Sequence, residues 1–185
     1  MTGKEDRMDI RKTAARLVYK YTEFDRVAER KVKRAVAIWH KGGSINHLRA
    51  RLMWNRIRRK YSCDCYPGIT VGDGLRIEHP IGILIGKTAI LGNNVRIYND
   101  VQIIAKVTGD DMRKENKERR HARIGNNVLL GSGCTVIGPI TIGDDCIIGA
   151  RAIVTRDIPG NSVVIGTNQI RARREDDTVP AYKTF

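Results

Sequence analysis

Two of the four histidines in this 185-residue chain have neighbours that change what an imidazole can do. His79 follows Glu78 and precedes Pro80, and His121 follows Arg120 at the end of a strongly charged run. An imidazole titrates near neutrality, so it can take the proton from a hydroxyl oxygen as that oxygen attacks a carbonyl carbon. A neighbouring carboxylate fixes the ring tautomer and stabilises the imidazolium that forms. The oxyanion of a tetrahedral intermediate needs donors, and His121, Arg120 or a backbone N–H can serve. The plainer reading of His79 is a solvated turn residue beside a proline. His40 and His47 flank a Gly42-Gly43 break in a polar setting and read as incidental.

Other chemistries find little to work with. The glycines follow no strand-to-helix phosphate loop and no dinucleotide fingerprint. Cys63, Cys65, Cys134 and Cys146, in a chain with no export signal, read as thiols, and no metal is expected.

The elements that must position these side chains are legible from periodicity. From Val71 onward, large aliphatics recur every six residues: Ile85, Leu91, Ile97 and Ile103, then Ile124, Leu130, Val136, Ile142, Ile148 and Val154. Four positions after most of them stands a small apolar residue such as Ala89, Val95, Cys134 or Cys146, and glycine often follows directly, as at Gly92, Gly125 and Gly143. Glycine locked to one phase of a six-residue period makes each hexad one short strand plus a corner that stacks on its like. Three such sides close a triangular coil. Its large aliphatics point inward, its small residues fill the corners, and Gly or Asn relieves backbone strain there. Cys134 and Cys146 therefore read as core. The repeat breaks between Ile103 and Ile124, where a polar, charged excursion leaves the coil.

Residues 1–60 carry 18 Lys/Arg against 6 Asp/Glu, most of the chain's net charge of +14. Apolar residues there recur at helical spacing, and three short amphipathic helices are expected. Thr22 with Asp25 reads as an N-cap pair, Gly42-Gly43 as a break, and Ser44 or Asn46 as the next cap. So basic a region admits peripheral contact with an anionic membrane, or simple packing on the coil that leaves a solvated basic face. Nucleic-acid binding is not expected, because exposed aromatics interleaved with the cations are not evident. No apolar stretch approaches a signal-peptide core or membrane span, so a cytoplasmic location is expected.

The segments DCYPGITVG, LRIEHPIGILIGKTAILGNNV and RHARIGNNVLLGSGCTVIGPITIGDDCIIGARAIV resemble the hexapeptide-repeat acyltransferases, and among them the serine acetyltransferases. The resemblance covers roughly residues 61–166 and implies a left-handed parallel β-helix, mainly β, acting as a homotrimer with acetyl-CoA as cosubstrate. With the charge and periodicity above, the chain divides into a basic helical region over 1–60, the β-helix over 61–166 with a loop at 104–123, and a tail over 167–185. Carried over residue by residue, it places the catalytic base on His79, its supporting acid on Asp64, and acceptor-side groups on Glu78, Arg120 and His121. The coenzyme would lie along the coil between subunits beside Ser132 and Ala150, and Arg171, with Arg173 and Arg174, would meet its phosphates or form a solvated tail.

Several departures concern the acceptor. The stretch IIAKVTG replaces the family's Gly-Gly-Thr turn, Tyr66 replaces a histidine, and the chain ends in Phe185 where the family's docking tail ends in Ile. The helical region is short, so the acid that it contributes to serine binding is not placed. The expectation is an acetyl-CoA-dependent O-acetyltransferase acting on a sugar or glycan hydroxyl in polysaccharide assembly, with L-serine as the alternative acceptor. A non-enzymatic hexapeptide-repeat scaffold is the alternative of another class.

Overall fold

The computed structural model describes residues 10–106 and 119–173, with side chains from Phe24 onward. Most of the charged excursion, Arg174 and Phe185 lie outside the described residues.

The hexads form the coil that they predict. Its first turn is β1 (Asp64–Cys65), β2 (Thr70–Val71) and β3 (Arg76–Ile77). The second is β4 (Leu84–Ile85), β5 (Ile90–Leu91) and β6 (Arg96–Ile97). The third is β7 (Gln102–Ile104), β8 (Arg123–Ile124) and β9 (Leu129–Leu130). The fourth is β10 (Thr135–Ile137), β11 (Thr141–Ile142) and β12 (Ile147–Ile148). A last turn holds β13 (Ile153–Val154) and β14 (Ser162–Ile165). Stacking makes three parallel sides: β1-β4-β7-β10-β13, β2-β5-β8-β11, and β3-β6-β9-β12-β14. The result is a left-handed parallel β-helix. We call the corner between sides one and two the first, between two and three the second, and between three and the next turn the third.

All ten periodic aliphatics, Ile85 through Val154, are at most 1% exposed. Cys134 and Cys146 are buried beside them as free thiols, as are Cys63 and Cys65, whose sulfurs lie 3.4 Å apart. The glycines differ from expectation in their physical role. At the second corner the left-handed conformation belongs to Gly74 in the first turn and then to Asn94, Asn127, Asp145 and Asn161, with φ 55, 53 and 58° at the middle three. Their side chains form a ladder, with Asn94 Nδ2 donating to Asn127 Oδ1 and Asn127 Nδ2 to Asp145 Oδ1, each at 3.1 Å. Gly92 and Gly143 are required instead by close approach, since a Cβ would stand 2.6 Å from the Gly125 carbonyl oxygen and 2.5 Å from the Gly160 nitrogen.

The basic region holds two helices and not three: α1 (Ile10–His40) and α2 (Ser44–Tyr61). No glycine or proline interrupts residues 10–40, and the stripe of Ala28, Val32, Ala35 and Val36 stays buried, so Thr22 and Asp25 lie inside α1 and cap nothing. The break comes at Gly42-Gly43, both at positive φ. Ser44 starts α2 without a side-chain cap, and Asn46 Nδ2 donates back to the Gly42 carbonyl at 2.9 Å. The helices cover the first turn of the coil through a core shared with Ile57 and Tyr61. Trp39 stacks on His47 (centroids 4.2 Å apart), Trp39 and Trp54 both meet Tyr66 edge-on, and His40 Nε2 lies 2.9 Å from the Ile69 carbonyl. Among the described residues no helix is long and apolar enough to cross a membrane. The tail also begins later than expected, because β15 (Gln169–Ala172) folds back antiparallel on β14 and extends side three.

Candidate active site

Ile77 and Ile85 are eight residues apart, whereas Ile97 and Ile103, Leu130 and Val136, and Ile148 and Val154 are six apart. All four steps cross the third corner, so in the first turn that corner carries two extra residues. The surplus chain holds His79 in the left-handed region (φ 53°) and closes with the Ile81 N–H donating to the His79 carbonyl at 2.6 Å. Such a conformation is uncommon for a side chain without glycine's freedom. Its effect here is to lift the ring away from the wall, leaving the His79 side chain 48% exposed.

Helix α1 passes over this corner and delivers an acid that the sequence did not place. Asp25 Oδ2 lies 3.5 Å from His79 Nδ1, and the Asp25 side chain is only 13% exposed. Its carboxylate also accepts the backbone N–H of His79, while Oδ1 is buried without a hydrogen-bond partner. Burial raises the Asp25 pKa, and the His79 backbone bond and the nearby imidazole only partly oppose it. One helical turn on, Glu29 Oε2 accepts the Ile77 N–H at 3.4 Å and lies 3.9 Å from Arg76 Nε. Glu78, 5% exposed, sits 3.7 Å from Arg76 Nη2. The imidazole thus sits among carboxylates that are buried (Glu78) or half-buried (Asp25 and Glu29), with one guanidinium drawn among them.

Asp64, expected behind His79, has other partners. It accepts Trp54 Nε1 at 2.8 Å and faces Arg58 Nη1 at 3.9 Å, because α2 runs over β1 and presents both groups to it. The acid set against the imidazole by α1 is Asp25. Its signal in the sequence was spacing: Asp25 and Glu29 are four apart and interleave with buried Ala28 and Val32, which puts both acids beside the coil-facing stripe.

Strand register places the expected coenzyme contacts. Arg96 pairs with Leu129 and Leu129 with Ile147, so three residues further on Asn99, Ser132 and Ala150 share one rank of the third corner. In the first turn the surplus sets Ile81 against Asn99, with the Asp100 N–H donating to the Ile81 carbonyl at 2.8 Å, and His79 bulges two residues before it. Ser132 Oγ donates to Asn99 Oδ1 at 2.9 Å, tying neighbouring steps of that column. Arg171 lies on β15 opposite Val163, with Nη1 donating to the Ala172 carbonyl. Arg173 reaches the second corner, where Nη1 lies 3.4 Å from the Asp145 carbonyl, away from the His79 column.

His121 belongs to the first corner. The Thr88 hydroxyl oxygen accepts the backbone N–H groups of Arg120 (2.9 Å) and His121 (3.2 Å) and lies 2.8 Å from His121 Nδ1. With both N–H groups donating to it, the hydroxyl gives its own proton to Nδ1, and a neutral ring then carries its hydrogen on Nε2. Desolvation by burial, and next the Arg120 charge, lower the His121 pKa and favour that neutral form. The ring lies over Gly86, where any Cβ would overlap it. Arg119, which the sequence reading passed over, anchors the returning chain by donating to the carbonyls of Pro139 and Ile140. His121 and His79 therefore stand at opposite ends of side one, and a single chain does not bring them face to face.

Residues 121–156 match the family described as Bacterial transferase hexapeptide (six repeats). The chain is 34% identical over 150 residues to a protein named Serine acetyltransferase 2 from Arabidopsis thaliana, covering 79% of this chain and 43% of that one. It is 39% identical over 104 residues to a serine acetyltransferase of Helicobacter pylori, covering 56% and 57%. Among solved structures, the soybean serine acetyltransferase complexed with serine superposes with a TM-score of 0.66 at 30% identity, over 78% of this chain and 55% of that one. The Neisseria gonorrhoeae serine acetyltransferase gives a TM-score of 0.69 at 28% identity, over 79% and 54%. The chain spans about half the length of these relatives.

Proposed function

We propose that this chain, which belongs to the hexapeptide-repeat transferases, is an acetyl-CoA-dependent O-acetyltransferase whose acceptor is the hydroxyl of an amino acid, with L-serine the leading candidate. The carrying observation is the half-buried Asp25 carboxylate 3.5 Å from His79, with one oxygen buried and unpartnered. A carboxylate in that position suits the ammonium of an amino acid whose hydroxyl meets the imidazole. A neutral sugar brings no charge to offset its burial. The names of the relatives support serine, and nothing found supports the glycan acceptor expected from the sequence.

His79 takes the hydroxyl proton as the oxygen attacks the thioester carbonyl. Asp25 stabilises the imidazolium, which returns the proton to the departing thiolate. Acetyl-CoA supplies the acetyl group. The column of Asn99, Ser132 and Ala150, on the corner that holds His79 in the first turn, offers small side chains along which a pantetheine arm can run toward the base. The Nε2–H of His121 is a neutral donor suited to a carboxylate or an oxyanion. Because His79 and His121 lie at opposite ends of side one, a complete site is read as forming between coils of a trimer. Leu84 and Ile153, 38% and 39% exposed on side one, give that packing apolar contact.

An acceptor screen with acetyl-CoA tests this reading. L-serine turnover that His79→Ala lowers by about 10²–10⁴-fold is expected. Turnover of sugars but not serine, or activity indifferent to the substitution, would overturn it.

A further inference from the structure

We infer that α2 and the cleft it forms with α1 are a docking surface for a bilayer containing anionic phospholipid. Three large apolar side chains on one face of α2 point into solvent: Ile45 (75% exposed), Leu48 (59%) and Leu52 (53%). Their spacing of three and four aligns them into a single stripe. The same helix carries six Lys/Arg and no acidic residue. Arg56 and Arg59 continue the stripe toward the C-terminal end of α2 and line a cleft of about 810 Å³ against α1. Lys31, Arg34 and Lys60 complete its charged wall, over a floor that includes Met53 and Ile57, and none of the described residues that line it is a carboxylate.

An exposed apolar stripe beside a cationic cleft calls for an occupant that satisfies both. A nucleic-acid backbone or free phosphate answers the cations and leaves Ile45, Leu48 and Leu52 in water. A second copy presenting the same face sets cations against cations. An anionic bilayer answers both, with acyl chains taking the stripe and headgroup phosphates meeting Arg56, Arg59 and Lys60. No helix among the described residues is long and apolar enough to span a membrane, so the contact is peripheral and in the plane of the interface.

The test is co-sedimentation of the full chain with phosphatidylcholine vesicles, with and without roughly 30% phosphatidylglycerol. Selective binding to the anionic vesicles is expected, weakened at least about tenfold both by Ile45→Ser/Leu48→Ser/Leu52→Ser and by Arg56→Gln/Arg59→Gln/Lys60→Gln. Leu48→Ser and Arg59→Gln singly give graded losses should a triple variant fold poorly. Light scattering reports the assembly mass of each, and acetyl transfer reports the integrity of the coil. No binding to anionic vesicles overturns the inference. So does wild-type binding by the apolar variant, which marks adsorption by charge alone. Displacement from vesicles by millimolar inorganic phosphate, or a lower assembly mass in the apolar variant, assigns the surface to a phosphate ligand or a second copy instead.

Discussion

The Asp25 carboxylate and the His79 residue meet twice: Oδ2 lies 3.5 Å from Nδ1, and the carboxylate accepts the His79 backbone N–H. A helix thus fixes both the ring and the two-residue surplus of chain that carries it. Because burial is the largest influence on Asp25, its folded pKa lies above its unfolded one. A raised pKa contributes stability below the unfolded value, and that contribution is lost as pH rises through the folded value. Ionisation of this acid therefore costs the folded state stability as pH rises.

Asp25→Asn should keep the backbone hydrogen bond and remove the charge. The expected result is a Tm at pH 7 no lower than wild type, a difference that shrinks as pH falls toward 4, and kcat/KM reduced by about 10²-fold. A lowered Tm with unchanged kcat/KM would make Asp25 a structural residue only.

His121 offers a spectroscopic check. Its lowered pKa, set first by burial and then by Arg120, means that its contribution to stability is present above the unfolded pKa and lost as pH falls through the folded one. Nitrogen-detected NMR at pH 6.5 should show a neutral ring with the hydrogen on Nε2. Thr88→Val removes the hydroxyl that donates to Nδ1 and leaves only the longer donation from the Thr88 N–H at 3.4 Å, so the preference for that tautomer should weaken. An imidazolium at this pH would contradict the arrangement.

The thiols should be silent. Burial pushes Cys134 up to about 12, and Cys65 is raised well above the ordinary range, by its hydrogen bond with Cys63 and then by burial. Thiolate is the reactive form, so aromatic disulfide reagents at pH 8 should label none of the four in the folded protein and all four in guanidinium. Rapid labelling of the native chain would show that the first turn opens.

The coil was readable because one six-residue period governs Ile85–Ile103 and again Ile124–Val154, and all ten of those aliphatics are buried. His79 was readable by resemblance, and the eight-residue step from Ile77 to Ile85, which gains its meaning only once the turns of the coil are known, is what sets its corner apart. What spacing along the coil cannot carry is which acid meets the ring, since that depends on how α1 lies across the third corner. Reading a cap at Thr22 and Asp25 broke α1 into pieces and removed the only element able to bring Asp25 to His79. The assignment to Asp64 had the opposite fault. Its distance along the chain suited a neighbour of His79, but Trp54 and Arg58 reach its carboxylate from α2.

The rank of Asn99, Ser132 and Ala150, on the same corner as the His79 bulge, gives the last prediction, because a column read from register can be blocked at a chosen height. Ala150 is exposed and stands two steps beyond Asn99, far enough along the corner that its side chain touches neither His79 nor Asp25 in the stacking order. Ala150→Phe adds a ring on the outside of the coil, where no core packing is disturbed, so the melting temperature should stay within a few degrees of wild type. If the pantetheine arm lies on this column, the ring removes binding shared by ground state and transition state. KM for acetyl-CoA should then rise by about tenfold or more with kcat little changed, and KM for the acceptor should hold. Steady-state kinetics with each substrate varied in turn separates these constants. An unchanged KM for acetyl-CoA would move the coenzyme to another corner of the coil, leaving His79 and Asp25 as a pair whose acetyl donor arrives from elsewhere.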